Sequence, residues 1–142
     1  MSIEVKYEIT ATATGGREGQ VTTADGAISE DLAPPTALGG SGKGLNPEQF
    51  FASGYAACYL GAMKFAVGQD ASLARVPEDA EVTATVGIGP RPDKGFGLTV
   101  ALTVHFPGVD PAEAQRVADA GHEICPYSHA TKGNIAVTTE IV

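Results

Sequence analysis

Residues 50–68, FFASGYAACYLGAMKFAVG, form an almost unbroken apolar run, and the phrase just before it marks a helix start. Asn46 can cap, Pro47 suits the first helical position, Glu48 complements the helix dipole and Gln49 can complete a capping box. The pattern predicts a helix from Pro47 to about Val67, with Gly68 as its stop. Apolar residues cover most of its circumference, so it must be buried on nearly all sides. A membrane span is the competing explanation. Against it, the run is rich in Ala and Gly, carries Lys64, and lacks basic flanks or a Leu/Ile/Val centre. A buried core helix is expected, with no membrane partner.

What can cover such a helix follows from the remaining pattern. Residues 3–13 alternate with period two and favour β-branched types, as a half-buried strand does. Gly15-Gly16 supplies a turn, Arg17–Thr23 a returning strand, and Asp25-Gly26 a second hairpin signal before a short strand near 27–32. The loop APPTALGGSGKGLN holds no regular structure in this reading. Strands are expected at 81–89 and 96–106, joined by GPRPDKG. Asp110-Pro111-Ala112-Glu113 opens a second helix, which should end near Ile124 because Pro126 follows. Residues 134–142 alternate as a last strand. The order β-β-β-α-β-β-α-β describes a single α+β domain over 1–142, with antiparallel sheets wrapped around long buried helices. Six short strands from one chain are a thin cover for a helix apolar on all sides. A homodimer that shares one intertwined core solves this.

Composition narrows the partners. The chain has 142 residues and a formal net charge of −8, and its nine Lys and Arg form no patch, which excludes nucleic acid as a default partner. MSIEVKYEIT has no apolar segment of the secretory kind, so a cytoplasmic location is expected. There a disulfide is transient rather than structural. The two cysteines, Cys58 inside the apolar helix and Cys125 at the end of the second one, therefore suggest redox or nucleophilic chemistry. Free cysteines can equally be small buried hydrophobes, and residues alone leave both possibilities open.

Four phrases carry a resemblance: TATATGGREG around Arg17, NPEQFFASGYAACYLGAMKF around Cys58, VGIGPRPDKGFGL, and HEICPYSHATKGNIAV around Cys125. Together they resemble the organic hydroperoxide resistance proteins of the OsmC family, over nearly the whole chain. The resemblance implies a cytoplasmic, homodimeric thiol peroxidase that reduces organic hydroperoxides, fatty-acid ones in particular. It implies no bound cofactor, with a lipoylated protein or dihydrolipoamide as the reducing co-substrate. It also implies Cys58 as the peroxide-attacking thiol, Cys125 as the resolving thiol, and Arg17 and Glu48 as the residues that tune Cys58. His129 and Lys132 depart from the family's usual Asn and Arg.

The chemistry sets its own demands. A thiol attacks peroxide as thiolate, whereas burial in an apolar helix favours the neutral form. Cys58 thus needs a positive charge, which Arg17 can supply, and a buried Arg needs a carboxylate such as Glu48. Glu48 and Cys58 lie ten residues apart on one helix, about 15 Å. If both act together, Glu48, accompanied by Arg17, should reach Cys58 of the other subunit. Phe50, Phe51, Tyr55, Met63 and Phe65 either line an entrance for acyl chains or belong to the core.

Other motifs are weak. His122, Cys125 and His129 have metal-like spacing, but Pro126 breaks the helix between them and a fourth ligand is missing. A Cys–His hydrolase lacks an oxyanion motif and an orienting third residue. GGSGKG at 39–44 echoes a phosphate loop, yet Ala37 and Gly44 stand where Gly and Ser/Thr are required. From a different class, a lipid- or small-molecule-binding protein with structural thiols is the alternative.

Overall fold

A computed structural model describes residues 2–142. The chain divides into two compact units, the residues up to Gln49 and Phe50–Val142.

The first unit is a three-stranded antiparallel meander of β1 (Ala11–Thr14), β2 (Gln20–Thr23) and β3 (Ser29–Asp31). A single 3-10 turn, Gly16–Glu18, replaces the tight hairpin expected between β1 and β2. The strand expected over 3–13 forms only at its end. β2 has four residues before the Asp25-Gly26 turn, so beyond the bond from Ala24 N to Thr10 O nothing in this sheet extends far enough to pair with residues 2–9. Their alternating Ile3, Val5, Tyr7 and Ile9 stay between 51% and 79% exposed. The glycine-rich segment after β3 is more ordered than its composition predicts. It contains a 3-10 turn, Thr36–Leu38, and Leu45 bonds back both ways, accepting from Ala33 N at 3.0 Å and donating to Asp31 O at 3.0 Å.

Helix α1 spans Pro47–Gln69. Its start is the expected capping box: Gln49 N donates to Asn46 Oδ1 at 3.0 Å, and Asn46 N donates to Gln49 Oε1 at 2.9 Å. In the second unit β4 (Glu81–Pro90) and β5 (Phe96–His105) form a long antiparallel hairpin. Helix α2 (Pro111–Ile124) starts at Asp110, whose carboxylate accepts from Ala112 N at 2.9 Å. A further helix, α3 (Pro126–Thr131), follows directly, and β6 (Val137–Ile141) completes the sheet.

Two differences from the expected order have physical causes. β6 runs parallel to β5, so this sheet is mixed rather than antiparallel. A parallel neighbour needs a crossover, and α2 with α3 provides it. Pro126 does not end the helical path. It redirects it, because Cys125 takes an extended conformation (φ −66°, ψ 120°), closing α2 and capping α3 at once. Pro then occupies the first helical position, where its missing N–H costs nothing.

The core of the second unit is built from α1, α2 and the β5 face. Tyr55, Tyr59, Ala62, Met63 and Ala66 of α1 are buried at helical spacing, against residues such as Leu102, Val104, Val117 and Ala118. Helix α1 is long and apolar enough to cross a membrane, but this stripe packs in the protein core. The expected burial on all sides is not met within one chain: Phe65 is 56% exposed, and Phe51, Cys58 and Leu60 are only partly covered. One sheet reaches one face of a helix.

Gly121 marks the closest approach of α2 to α1, since a Cβ there would sit 2.4 Å from Met63 Cγ and 3.0 Å from Tyr59 Cε1. Replacing it with Ala adds up to about 1 kcal/mol of helix propensity. Against that, overpacking fully buried side chains costs about 1–3 kcal/mol. We expect Gly121→Ala to be destabilised on balance, seen as a lower midpoint in urea denaturation at unchanged slope.

Candidate active site

The GGREG phrase fixes how Arg17 is presented. Gly15 and Gly16 both take positive φ (71° and 60°), and a Cβ at Gly19 would lie 1.7 Å from Thr14 O. Only glycine tolerates such a path, and the resulting tight turn projects the Arg17 side chain. Its guanidinium meets the Glu48 carboxylate with two parallel hydrogen bonds, Nη1 to Oε2 at 2.9 Å and Nη2 to Oε1 at 2.7 Å. The side chains are 42% and 13% exposed, so the pair is sheltered more on the carboxylate side. Arg17 holds the Glu48 carboxyl below its ordinary range, against a smaller opposing effect of burial, and Glu48 in turn raises the Arg17 guanidinium. The geometry is the fork that favours Arg over Lys.

In the second unit the two thiols come together. Cys58, half-buried on α1, and Cys125, buried between α2 and α3, are both free, and their Sγ atoms are 3.7 Å apart. They are 67 positions apart in sequence, and only the docking of α3 on α1 closes that gap. Cys125 Sγ also accepts from Ser128 N at 3.5 Å. Burial pushes the Cys58 thiol up, and the neighbouring Cys125 thiol adds to this; the Tyr127 backbone amide pulls the other way. None of these influences is a positive charge.

The structure adds Ser128 and Thr139, which the sequence did not single out, and gives His122 and Tyr55 a setting other than the metal set and the entrance considered for them. Ser128 is the centre of a buried polar group: its Oγ lies 2.9 Å from Tyr55 Oη and 2.8 Å from His122 Nδ1. His122 Nε2 lies 2.8 Å from Thr139 Oγ1, and its ring stacks on Tyr59 with centroids 4.4 Å apart. Desolvation holds His122 below its usual pKa, so the neutral ring donates at one nitrogen and accepts at the other. Both nitrogens are engaged with hydroxyls, which leaves none for a metal. Among the described residues no group of three or more His, Cys, Asp or Glu could hold one. His129 and Lys132 are exposed on α3 and at its end.

Of the five aromatic and Met candidates for an entrance, Tyr55 and Met63 are fully buried and belong to the core. Phe51 is partly buried and forms an edge-on cluster with Tyr55 and Tyr127 (centroids 6.1 and 6.0 Å). Gly54 allows this, since a Cβ there would meet Tyr127 Oη at 2.7 Å.

The chain as a whole resembles known proteins. A family model described as OsmC-like protein matches residues 40–140. The chain belongs to the OsmC-like family. An organic hydroperoxide resistance protein from Xanthomonas axonopodis pv. citri is 49% identical over 136 residues, covering 95% of this chain and 94% of that one. The crystal structure of an organic hydroperoxide resistance protein from Elizabethkingia anophelis matches with a TM-score of 0.89 at 41% identity, covering 98% of each chain. That of OhrB from Bacillus subtilis matches with a TM-score of 0.86 at 37% identity, covering 97% of this chain and 100% of the other. The α+β architecture of two three-stranded sheets and helices is the fold of those structures.

The depressed Glu48 carboxyl has a consequence for stability. A group with a lowered folded-state pKa contributes above its unfolded value, about 4.3 for Glu, and loses that contribution as pH falls through the folded value. Glu48→Gln should therefore be less stable than wild type near pH 6. The exposure of Arg17 limits the gap to on the order of 1 kcal/mol. It should close in denaturation curves taken progressively below about pH 4.

Proposed function

We propose that this protein is a cysteine-based peroxidase that reduces organic hydroperoxides to alcohols, acting as a homodimer in the cytoplasm and protecting against oxidative damage. The observation that carries the proposal is the pair of free thiols at 3.7 Å, one half-buried on the central helix and one buried behind it. Relatives at 49% and 40% identity named organic hydroperoxide resistance proteins supply the substrate class.

In the proposed cycle the Cys58 thiolate attacks the terminal peroxide oxygen. The O–O bond breaks, the alkoxide leaves and is protonated to alcohol, and Cys58 becomes a sulfenic acid. Cys125 then attacks Cys58 sulfur: the S–S bond forms, the S–O bond breaks, and the oxygen departs as water with the thiol proton. A dithiol co-substrate, dihydrolipoamide or a lipoylated protein, is oxidised to its own disulfide as it returns both cysteines to thiols by exchange. No bound cofactor enters these steps.

Cys58 needs a positive charge for the first step, and the groups acting on it within its own unit supply none. The preformed Arg17–Glu48 fork is a fitting source. We assign it to Cys58 of the partner subunit. Two features support a dimer: the incompletely covered apolar surface of α1, and the exposed alternating arm of Ile3, Val5, Tyr7 and Ile9. Each would be covered by a second copy.

The test is dithiol-dependent turnover of tert-butyl hydroperoxide and of hydrogen peroxide. Wild type should turn over, preferring the organic peroxide, and Cys58→Ser should not; retained turnover in Cys58→Ser would sink the mechanism. Equal rates on both peroxides would indicate a broader peroxidase, and none in wild type a binding protein. The shared site has its own check in mixed dimers of Arg17→Ala with Cys58→Ser. Sites built from two chains leave one complete site per mixed dimer, so activity should return; sites built from one chain would leave none.

A further inference from the structure

Two contacts tie α3 to α1, and they have matching offsets. Cys58 faces Cys125, while Tyr55, three residues before Cys58, faces Ser128, three residues after Cys125. Residues three apart share a helix face, so the sulfur contact and the hydroxyl contact sit side by side along one seam. Ser128 is 7% exposed and carries more than its contact to Tyr55: it is also bonded to His122 of α2, and His122 is bonded to Thr139 of β6. Thr131 Oγ1 adds a second contact to Tyr55 Oη at 3.3 Å. The backbone amide of the same Ser128 donates to Cys125 Sγ. A single residue thus joins the resolving sulfur to three other elements of the unit.

We propose that Tyr55, Ser128 and His122 are positioning residues that hold α3 at the separation from α1 at which Cys125 can bond to Cys58. The inference rests on the reading that these two cysteines pair during the cycle. A disulfide needs its sulfurs at about 2.05 Å and its Cα atoms within roughly 7 Å, so α3 must move in a little without swinging away. The hydroxyl–imidazole chain permits that small motion and resists a large one. It acts on the second step, in which Cys125 meets the oxidised Cys58. It touches neither the peroxide nor the attacking sulfur. Loosening it should alter the first step only slightly, through the Tyr127 amide of α3 that favours the Cys58 thiolate, and expose the sulfenic acid to further oxidation.

The experiment has two arms. In glutathione redox buffers, the fraction of Cys58–Cys125 disulfide at equilibrium gives the effective concentration of one thiol toward the other, with no peroxidase activity required. Tyr55→Phe, Ser128→Ala and His122→Gln should each lower it by about tenfold or more, since misplacement on the ångström scale has effects of that order. Ser128→Thr, which keeps the hydroxyl, should stay near wild type. In the second arm, a several-fold excess of tert-butyl hydroperoxide is added without reductant. The initial rate of peroxide consumption should change by less than about threefold in Tyr55→Phe and Ser128→Ala, while mass spectrometry finds more protein carrying two added oxygens. Unchanged effective concentration in all three variants would overturn the proposal. So would loss in Ser128→Thr equal to that in Ser128→Ala, or a fall in peroxide consumption as large as the fall in disulfide. Failure of wild type to consume peroxide would refute the peroxidase reading alone, and the first arm would still decide the role of the clamp.

Discussion

An apolar helix cannot be satisfied by one sheet, and much of this architecture answers to that constraint. The stripe of Tyr55, Tyr59, Ala62, Met63 and Ala66 packs into the core, and each fully buried large side chain there gains about 1.5–3 kcal/mol from leaving water. The aromatic members also bring a hydroxyl that must be satisfied. Tyr59 Oη donates to Ala118 O at 2.7 Å, and Tyr55 reaches Ser128. Burial of the stripe therefore dictates where α2 and α3 can dock. Gly121 then sets how close α2 comes. Cys58 lies between Tyr55 and Tyr59 in sequence, at the edge of the buried stripe rather than within it. It is brought to the second thiol while keeping some access to solvent.

That placement creates the electrostatic problem of the site. The apolar packing that stabilises α1 disfavours the anionic form of Cys58. A cation placed deep in the same core would carry its own desolvation cost. The Arg17–Glu48 fork avoids that cost by being assembled near the surface, with the carboxylate already balancing the guanidinium charge. A neutral fork still presents directional N–H donors on its outer edge. In the proposed dimer it would therefore act through hydrogen bonds to the sulfur and peroxide oxygens and through the positive end of the pair, without net charge.

Local signals in the sequence carried far. The capping box at Asn46, the N-cap at Asp110 and the strands expected at 81–89 and 96–106 each have a short-range cause, and each appears in the structure near its expected boundary. Long-range pairing was not legible in the same way. Residues 3–9 have a strand's alternation, but whether a strand forms depends on a partner that the four-residue β2 does not provide. The parallel direction of β6 depends on the crossover. The crossover in turn depends on Pro126 starting a helix rather than stopping one, a distinction invisible without the extended backbone of Cys125. The cysteine pair follows the same division. Its residue types and flanking phrases pointed to paired thiols, whereas the hydroxyl network of Tyr55, Ser128 and Thr139 consists of residue types common in any core or strand.

His122 shows why such a network escapes pattern reading yet constrains chemistry. In sequence it is one of a His-Cys-His set that suggests a metal. In the fold its ring lies flat on Tyr59 and its two nitrogens span hydroxyls from α3 and β6. Protonation would remove the acceptor from a ring that needs one donor and one acceptor only while neutral, and desolvation disfavours the charge. A neutral imidazole can reverse its tautomer if both hydroxyl partners rotate with it. The chain can then keep all its hydrogen bonds while α3 shifts by a fraction of an ångström. A salt bridge in the same place would be stronger but would tolerate less movement. A clamp made of reorientable hydroxyls suits a short helix that must hold a thiol in place and still let it close on its partner.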